Sequence, residues 1–254
     1  MRSTLGMSLA VPVVTAALLL SACGGGSHPS PNPTPTTPAI ELSADQLNSA
    51  VLTLDDMPTG YSKSDNYTND GNGDNASASY QGASACTALT DVLGQQSTAV
   101  DASAGAGYSS GPFGPFVVEN LAAYPADHDL SADFTALKSA LNSCPSISVS
   151  SSKGSVNASA KLSPLKFGSY GDETLAVQMN GQVKDLSIDF GLKAVFVRVG
   201  PNTITLLSIA LGPTPLANLV LQSIAKTATD KLETAMSSAA SASASDSTSP
   251  SPTA

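Results

Sequence analysis

The sequence predicts an α+β fold: an antiparallel sheet with helices packed on one face, in a single domain. Three observations carry that expectation. Leu130, Phe134, Leu137, Leu141 and Cys144 recur at helical spacing, and Pro145 ends the run. Between residues 146 and 211 the pattern switches to a period of two, with Leu186, Ile188, Phe190 and Leu192 alternating with Ser187, Asp189, Gly191 and Lys193. A last helical pattern then sets Leu216, Leu219, Val220, Ile224, Ala228, Leu232 and Met236 on one face. Strands in series, with helices before and after them, place the helices against an antiparallel sheet.

The chain of 254 residues opens with Met1-Arg2-Ser3 and an apolar run from Leu9 to Leu20. That run is too short for a finished membrane span, which needs about 20 apolar residues. Its length suits a signal-peptide core ending in small residues, here residues 1–22. Leu20-Ser21-Ala22-Cys23 resembles the lipobox of bacterial lipoproteins, in which the cysteine thiol is acylated and becomes the first residue after cleavage. Cys23 is the expected lipidation site, and two acyl chains on it meet the two-signal condition for stable anchoring. Residues 23–39 continue as a Gly- and Pro-rich tether, including His28 as a solvated side chain. Alternating proline biases such a stretch toward polyproline II, giving a spacer on the order of 50 Å.

The folded domain is expected from residue 40 to 236. Ser43-x-x-Gln46 forms a capping box before Leu47, Val51 and Leu54, and Met57-Pro58-Thr59-Gly60 turns the chain. Residues 62–84, polar and rich in Gly, Asn and Asp, read as a long loop. Cys86 to Leu93 reads as a short helix stopped by Gly94, and 94–112 as a flexible stretch poor in apolar contacts. Phe113 to Tyr124 is a strand, followed by a solvated lead-in, Asp127-His128-Asp129, and a helix capped by Ser131. Val195, Val197 and Val199 lead into Gly200-Pro201-Asn202, and residues 203–211 return as the second arm of a hairpin. Thr214 and Pro215 open the last helix. From Ser237 the Ser/Ala/Pro composition predicts a disordered tail, residues 237–254.

Composition narrows the function. The formal charge of −9, with 11 Lys and Arg against 20 Asp and Glu, offers no basic cluster for nucleic acid. Two His and three Cys leave little for a zinc site or a His-based catalytic centre, so no cofactor, metal or catalytic residue is expected. Asp65 to Asp74 has the oxygen-rich, Gly-bent character of a calcium loop, but Ser77 stands where a bidentate Glu belongs. Ser150-x-x-Lys153 fits the core motif of penicillin-recognising enzymes without its companion motifs. Asp172-Glu173 and Asp185/Asp189 are the acid pairs nearest strands, and Asp189 alternates with apolar neighbours so as to face solvent. Acids dominate before residue 135, whereas Lys161, Lys166, Lys184, Lys193 and Arg198 give the sheet half a mildly basic character.

With Cys23 assigned to lipid, Cys86 and Cys144 remain as an even pair in an exported, oxidising compartment, and a disulfide is expected. The order of further segments is suggestive: Leu52-Thr53-Leu54-Asp55-Asp56-Met57-Pro58-Thr59-Gly60-Tyr61, Cys86, Phe134 through Leu141-Asn142-Ser143-Cys144, Phe167-Gly168-Ser169-Tyr170-Gly171-Asp172-Glu173, and Val195-Phe196-Val197-Arg198-Val199-Gly200. In that order residues 40–236 resemble the extracellular sensor domain of PknH-type serine/threonine kinases, on an actinobacterial lipoprotein. The resemblance implies a sheet and helices around a cleft, no enzymatic role, and one of that family's two disulfides at Cys86–Cys144. The kinase domain has no counterpart, so any output is expected to pass through another protein. The expected function is therefore a lipid-anchored domain on the outer face of the cytoplasmic membrane that binds a ligand or an envelope protein. The alternatives are a carrier of a lipid or other amphiphile in an apolar cavity and, below it, a cell-wall hydrolase.

Overall fold

The computed structural model describes residues 40–64, 78–93, 99–151, 157–184, 186–212 and 215–246. Cys23, His28, the 65–74 loop, Lys153, Asp185, Thr214 and the chain after Asp246 lie outside them. Among the described residues four α-helices, α1 (Ala44–Ala50), α2 (Thr87–Leu93), α3 (Leu130–Ser143) and α4 (Asn218–Asp246), accompany nine strands. The strands are β1 (Ser62–Lys63), β2 (Ala78–Gly82), β3 (Ala102–Ser109), β4 (Phe116–Ala123), β5 (Ser146–Ser151), β6 (Asn157–Pro164), β7 (Glu173–Val183), β8 (Ile188–Val199) and β9 (Asn202–Leu211). All pair antiparallel in one sheet of order β1-β3-β4-β9-β8-β7-β6-β5-β2. The α+β class and the single antiparallel sheet are as the sequence predicts.

The helices, however, pack on both faces and not on one. Strand β8 shows why, because it is apolar on both sides. Val195, Val197 and Val199 join a core with α1 and α4, while Ala194 and Phe196 join a separate core with α2 and α3. A half-buried strand alternates apolar with polar; a central strand covered on both faces loses that alternation. The unbroken run Ala194 to Val197 is therefore the mark of two covered faces.

Other elements depart from expectation for local reasons. Residues 102–109 are a strand, because Ala104, Ala106 and Tyr108 are buried against one core despite the weak strand preference of Ala and Gly. Within 62–84, β1 and β2 form the two edges of the sheet. Asp129, not Ser131, caps α3, its side chain accepting from Ala132 N at 3.0 Å. Helix α4 runs ten residues into the stretch expected to be disordered. Ala has the best helix propensity, and the hydroxyls of Ser237, Ser238, Ser241 and Ser243 donate to the carbonyls four residues back, contacts that weaken a helix slightly without ending it. Leu219 is 80% exposed in the first turn, and Leu221 takes the inward place ahead of Ile224, Ala228, Leu232 and Met236.

The α1/α4 face is closed. Leu47, Leu121, Ile204, Leu206, Leu221, Leu232 and Met236 are all fully buried in it. Glu119 of β4 also points into this layer and is 1% exposed. Its Oε2 accepts from Leu52 N at 2.7 Å, and Tyr108 Oη donates to Leu52 O, so both backbone groups of Leu52 are satisfied by strand side chains. Burial pushes the Glu119 carboxyl up to about 8, outweighing the Leu52 hydrogen bond and the nearby Lys231. Lys231 of α4 pairs with Asp56 at 2.8 Å and closes the same layer from its rim. Lys193 is another departure. It is buried, and its Nζ donates to Leu216 O at 2.6 Å and to Asn218 Oδ1, pinning the start of α4 to β8.

Candidate ligand-binding cleft

On the opposite face the cover is partial. Helices α2 and α3 pack beside each other over the β5–β8 side of the sheet, with Cys86, Leu89, Phe134, Leu137 and Ile147 at the contact. Cys86 and Cys144 are joined by a disulfide that ties the start of α2 to the end of α3. Toward β3, β4 and β9 the helices stop short, leaving a cleft of about 760 Å³ between them and the sheet.

Strand register builds the floor. Gly105, Asn120, Thr205 and Phe196 stand in one cross-strand row, and Ser103, Ala122 and Thr203 in the next. The cleft is deep here because β3 presents Ser103, Gly105 and Gly107 to this face while Ala104, Ala106 and Tyr108 face the other. Val92 of α2 with Phe134 and Leu137 of α3 form the apolar wall, and Asp91 and Asp133 stand among them.

Two polar features converge on the cleft. The first is Asn120, whose Oδ1 is buried and has no hydrogen-bond partner. Its row neighbour Gly105 brings no side chain to it. A buried acceptor without a donor costs about 1–3 kcal/mol. The second is the turn between β4 and α3. His128 N donates to Pro125 O at 2.9 Å, which folds the His128 ring back onto Tyr124, stacked at a centroid separation of 5.0 Å and 18°. His128 Nε2 lies 2.6 Å from Asp133 Oδ2 on the first turn of α3. Tyr124, His128 and Asp133 all line the cleft.

These residues were hard to see in the sequence. Asp127-His128-Asp129 reads as a solvated lead-in, yet the His128 side chain is only 25% exposed. Only Asn120, Ala122 and Tyr124, at period two along β4, carried a signal that they share a face. Of the acid pairs, Asp189 faces solvent as expected and accepts from Gln182 Nε2 at 3.2 Å. Asp172 accepts from Gly200 N at 2.7 Å and lies near Arg198, a turn-closing role. Ser150 lies on β5 and not at a helix start, and Lys153 lies outside the described residues. Among the described residues, no cluster of His, Cys, Asp and Glu is placed to hold a metal ion, and no helix is long and apolar enough to cross a membrane.

No family model matches the chain, and no curated protein matches it. Among solved structures, the extracellular domain of PknH from Mycobacterium tuberculosis is similar, with a TM-score of 0.56 over 77% of this chain and 99% of that one, at 14% sequence identity. At that identity the likeness is one of fold. The resemblance read from the order of motifs thus holds as a structural resemblance to a kinase's extracellular domain.

Proposed function

We propose that this chain is a lipoprotein anchored through Cys23 to the outer face of the cytoplasmic membrane, whose α+β domain binds a ligand or an envelope partner without catalysis. The observation that carries the reading is the contrast of a closed α1/α4 face with a cleft on the other face on which Asn120, Tyr124, His128 and Asp133 converge. The cleft falls in the volume range of small-ligand sites, roughly 300–1,000 Å³, and like them it brings a few polar groups together. The likeness in fold to an extracellular domain supports the location, and Leu20-Ser21-Ala22-Cys23 supports the anchor. Polar side chains on the floor and at the His128 turn suit a polar ligand better than the amphiphile of the alternative reading.

The anchor and the site are tested together. Cells fed an acyl analogue should label the wild-type protein, and Cys23→Ser should shed unlabelled protein into the medium. The released chain, studied by native mass spectrometry, should retain a ligand that His128→Ala loses. A panel of ester, peptide and glycoside substrates should show no turnover; turnover abolished by His128→Ala would replace the binding reading with an enzymatic one.

A further inference from the structure

We propose that the cleft receives an uncharged saccharide, an inference that rests on the binding reading above and names what is bound. Charge is the first argument. Among the described residues no Lys or Arg lines the cleft, whereas Asp91 and Asp133 do, so a phosphate, sulfate or carboxylate ligand would meet like charge there. One oxygen of Asp133 is already engaged by His128, which makes that wall a hydrogen-bonding surface more than a cation trap.

Hydrogen-bond chemistry is the second. The Asn120 amide lines the cleft and brings both a donor and an acceptor to it, neither of which an acyl chain can satisfy. A sugar hydroxyl both donates and accepts. It can hydrogen-bond with both the Asn120 amide and the Thr205 hydroxyl of the same cross-strand row. Shape is the third. Tyr124 follows Asn120 two pleats along β4, a distance of about 14 Å at roughly 3.4 Å per residue. That spacing places a di- or trisaccharide with one ring at the Asn120 amide and another at the stacked Tyr124–His128 pair. There the apolar C–H face of a sugar ring meets a flat aromatic surface held rigid by the His128–Asp133 hydrogen bond.

The test uses the soluble Cys23→Ser chain, titrated by native mass spectrometry and calorimetry with three probe sets. These are neutral di- and trisaccharides (maltose, chitotriose, mannotriose and an arabinose oligomer), their phosphorylated or uronic counterparts, and palmitate. The expected result is binding to at least one neutral saccharide, little or none to its anionic counterpart, and about tenfold weaker binding in Asn120→Leu, the equivalent of one lost hydrogen bond at about 1.4 kcal/mol. His128→Ala, which leaves the floor intact, should also weaken it. Binding confined to anionic glycans or palmitate, yet lost in Asn120→Leu, overturns the saccharide and keeps the cleft as the site. Failure of every saccharide to bind overturns the saccharide alone if a co-purifying ligand is still held in the cleft. Saccharide binding that neither substitution weakens overturns its placement there.

Discussion

Glu119 and Asn120 are adjacent on β4, and they point into opposite layers of the same sheet. Each carries a buried oxygen without a partner, Glu119 Oε1 and Asn120 Oδ1, but their surroundings differ. Glu119 is sealed beneath the α1 connection and α4, and its other oxygen holds Leu52. Asn120 stands on the floor of a cleft beside a glycine. The first face has a helix of 29 residues laid across it, and the second has two short helices stapled together to one side. One face fixes the fold and the other leaves room on it. The division runs through β8, whose Val195 and Val197 belong to the core of one face and Ala194 and Phe196 to that of the other.

The division predicts unequal responses. The largest effect concerns pH and belongs to the closed face. The folded-state pKa of Glu119 lies above that of an unfolded carboxyl, so the folded chain binds more protons between about 4.5 and 8. Stability is fully present below the unfolded value and is lost as pH rises through about 8, by on the order of 4 kcal/mol. Urea unfolding at pH 5 and pH 9 should show that loss, and Glu119→Gln, which cannot ionise but still accepts from Leu52 N, should flatten it. Reduction of Cys86–Cys144 comes next. Closing a 58-residue separation contributes roughly 4 kcal/mol in the chain-entropy model, and any native-state strain lowers the figure. Thermal melts with and without reductant measure it, and hydrogen exchange should show the loss first in α2 and α3. Leu232→Ala in the fully buried stripe of α4 should cost about 3 kcal/mol by calorimetry and leave cleft binding in place. His128→Ala should move the melting midpoint least, by the equivalent of about 1 kcal/mol or less, because its hydrogen bond to Asp133 is partly exposed, while it weakens binding.

The same contrast explains what was legible in the sequence. The closed face was legible in large part: α1 announced itself by Ser43 and Gln46, α4 by its stripe, and the β8–β9 hairpin by Gly200-Pro201-Asn202. Burial of large apolar side chains leaves a periodic signal. The cleft face leaves little, because an open floor is made of small residues. Ser103, Gly105 and Gly107 carry neither strand propensity nor hydrophobic period, so β3 read as a flexible stretch. His128 and Asp133 are five residues apart across a turn, and nothing in the sequence shows that the turn folds the ring onto Tyr124. The second covered face was written in Ala194-Val195-Phe196-Val197, a run whose lack of alternation was the clue. Lys193 looked like one more solvated strand lysine, because a partner on a helix start 23 residues away has no local signature.

The most direct measurement is a paired one on Asn120→Leu in the soluble Cys23→Ser chain: the melting midpoint, and retention of the co-purifying ligand by native mass spectrometry. Leucine has nearly the shape of asparagine and removes the unpartnered oxygen. If the cleft keeps that oxygen for a ligand, the ligand-free substitution should melt at the same temperature or higher, by the equivalent of about 1 kcal/mol, and retain no ligand. A lower midpoint with ligand retained would contradict the account, because Asn120 would then be holding the fold together and the cleft would not be the site.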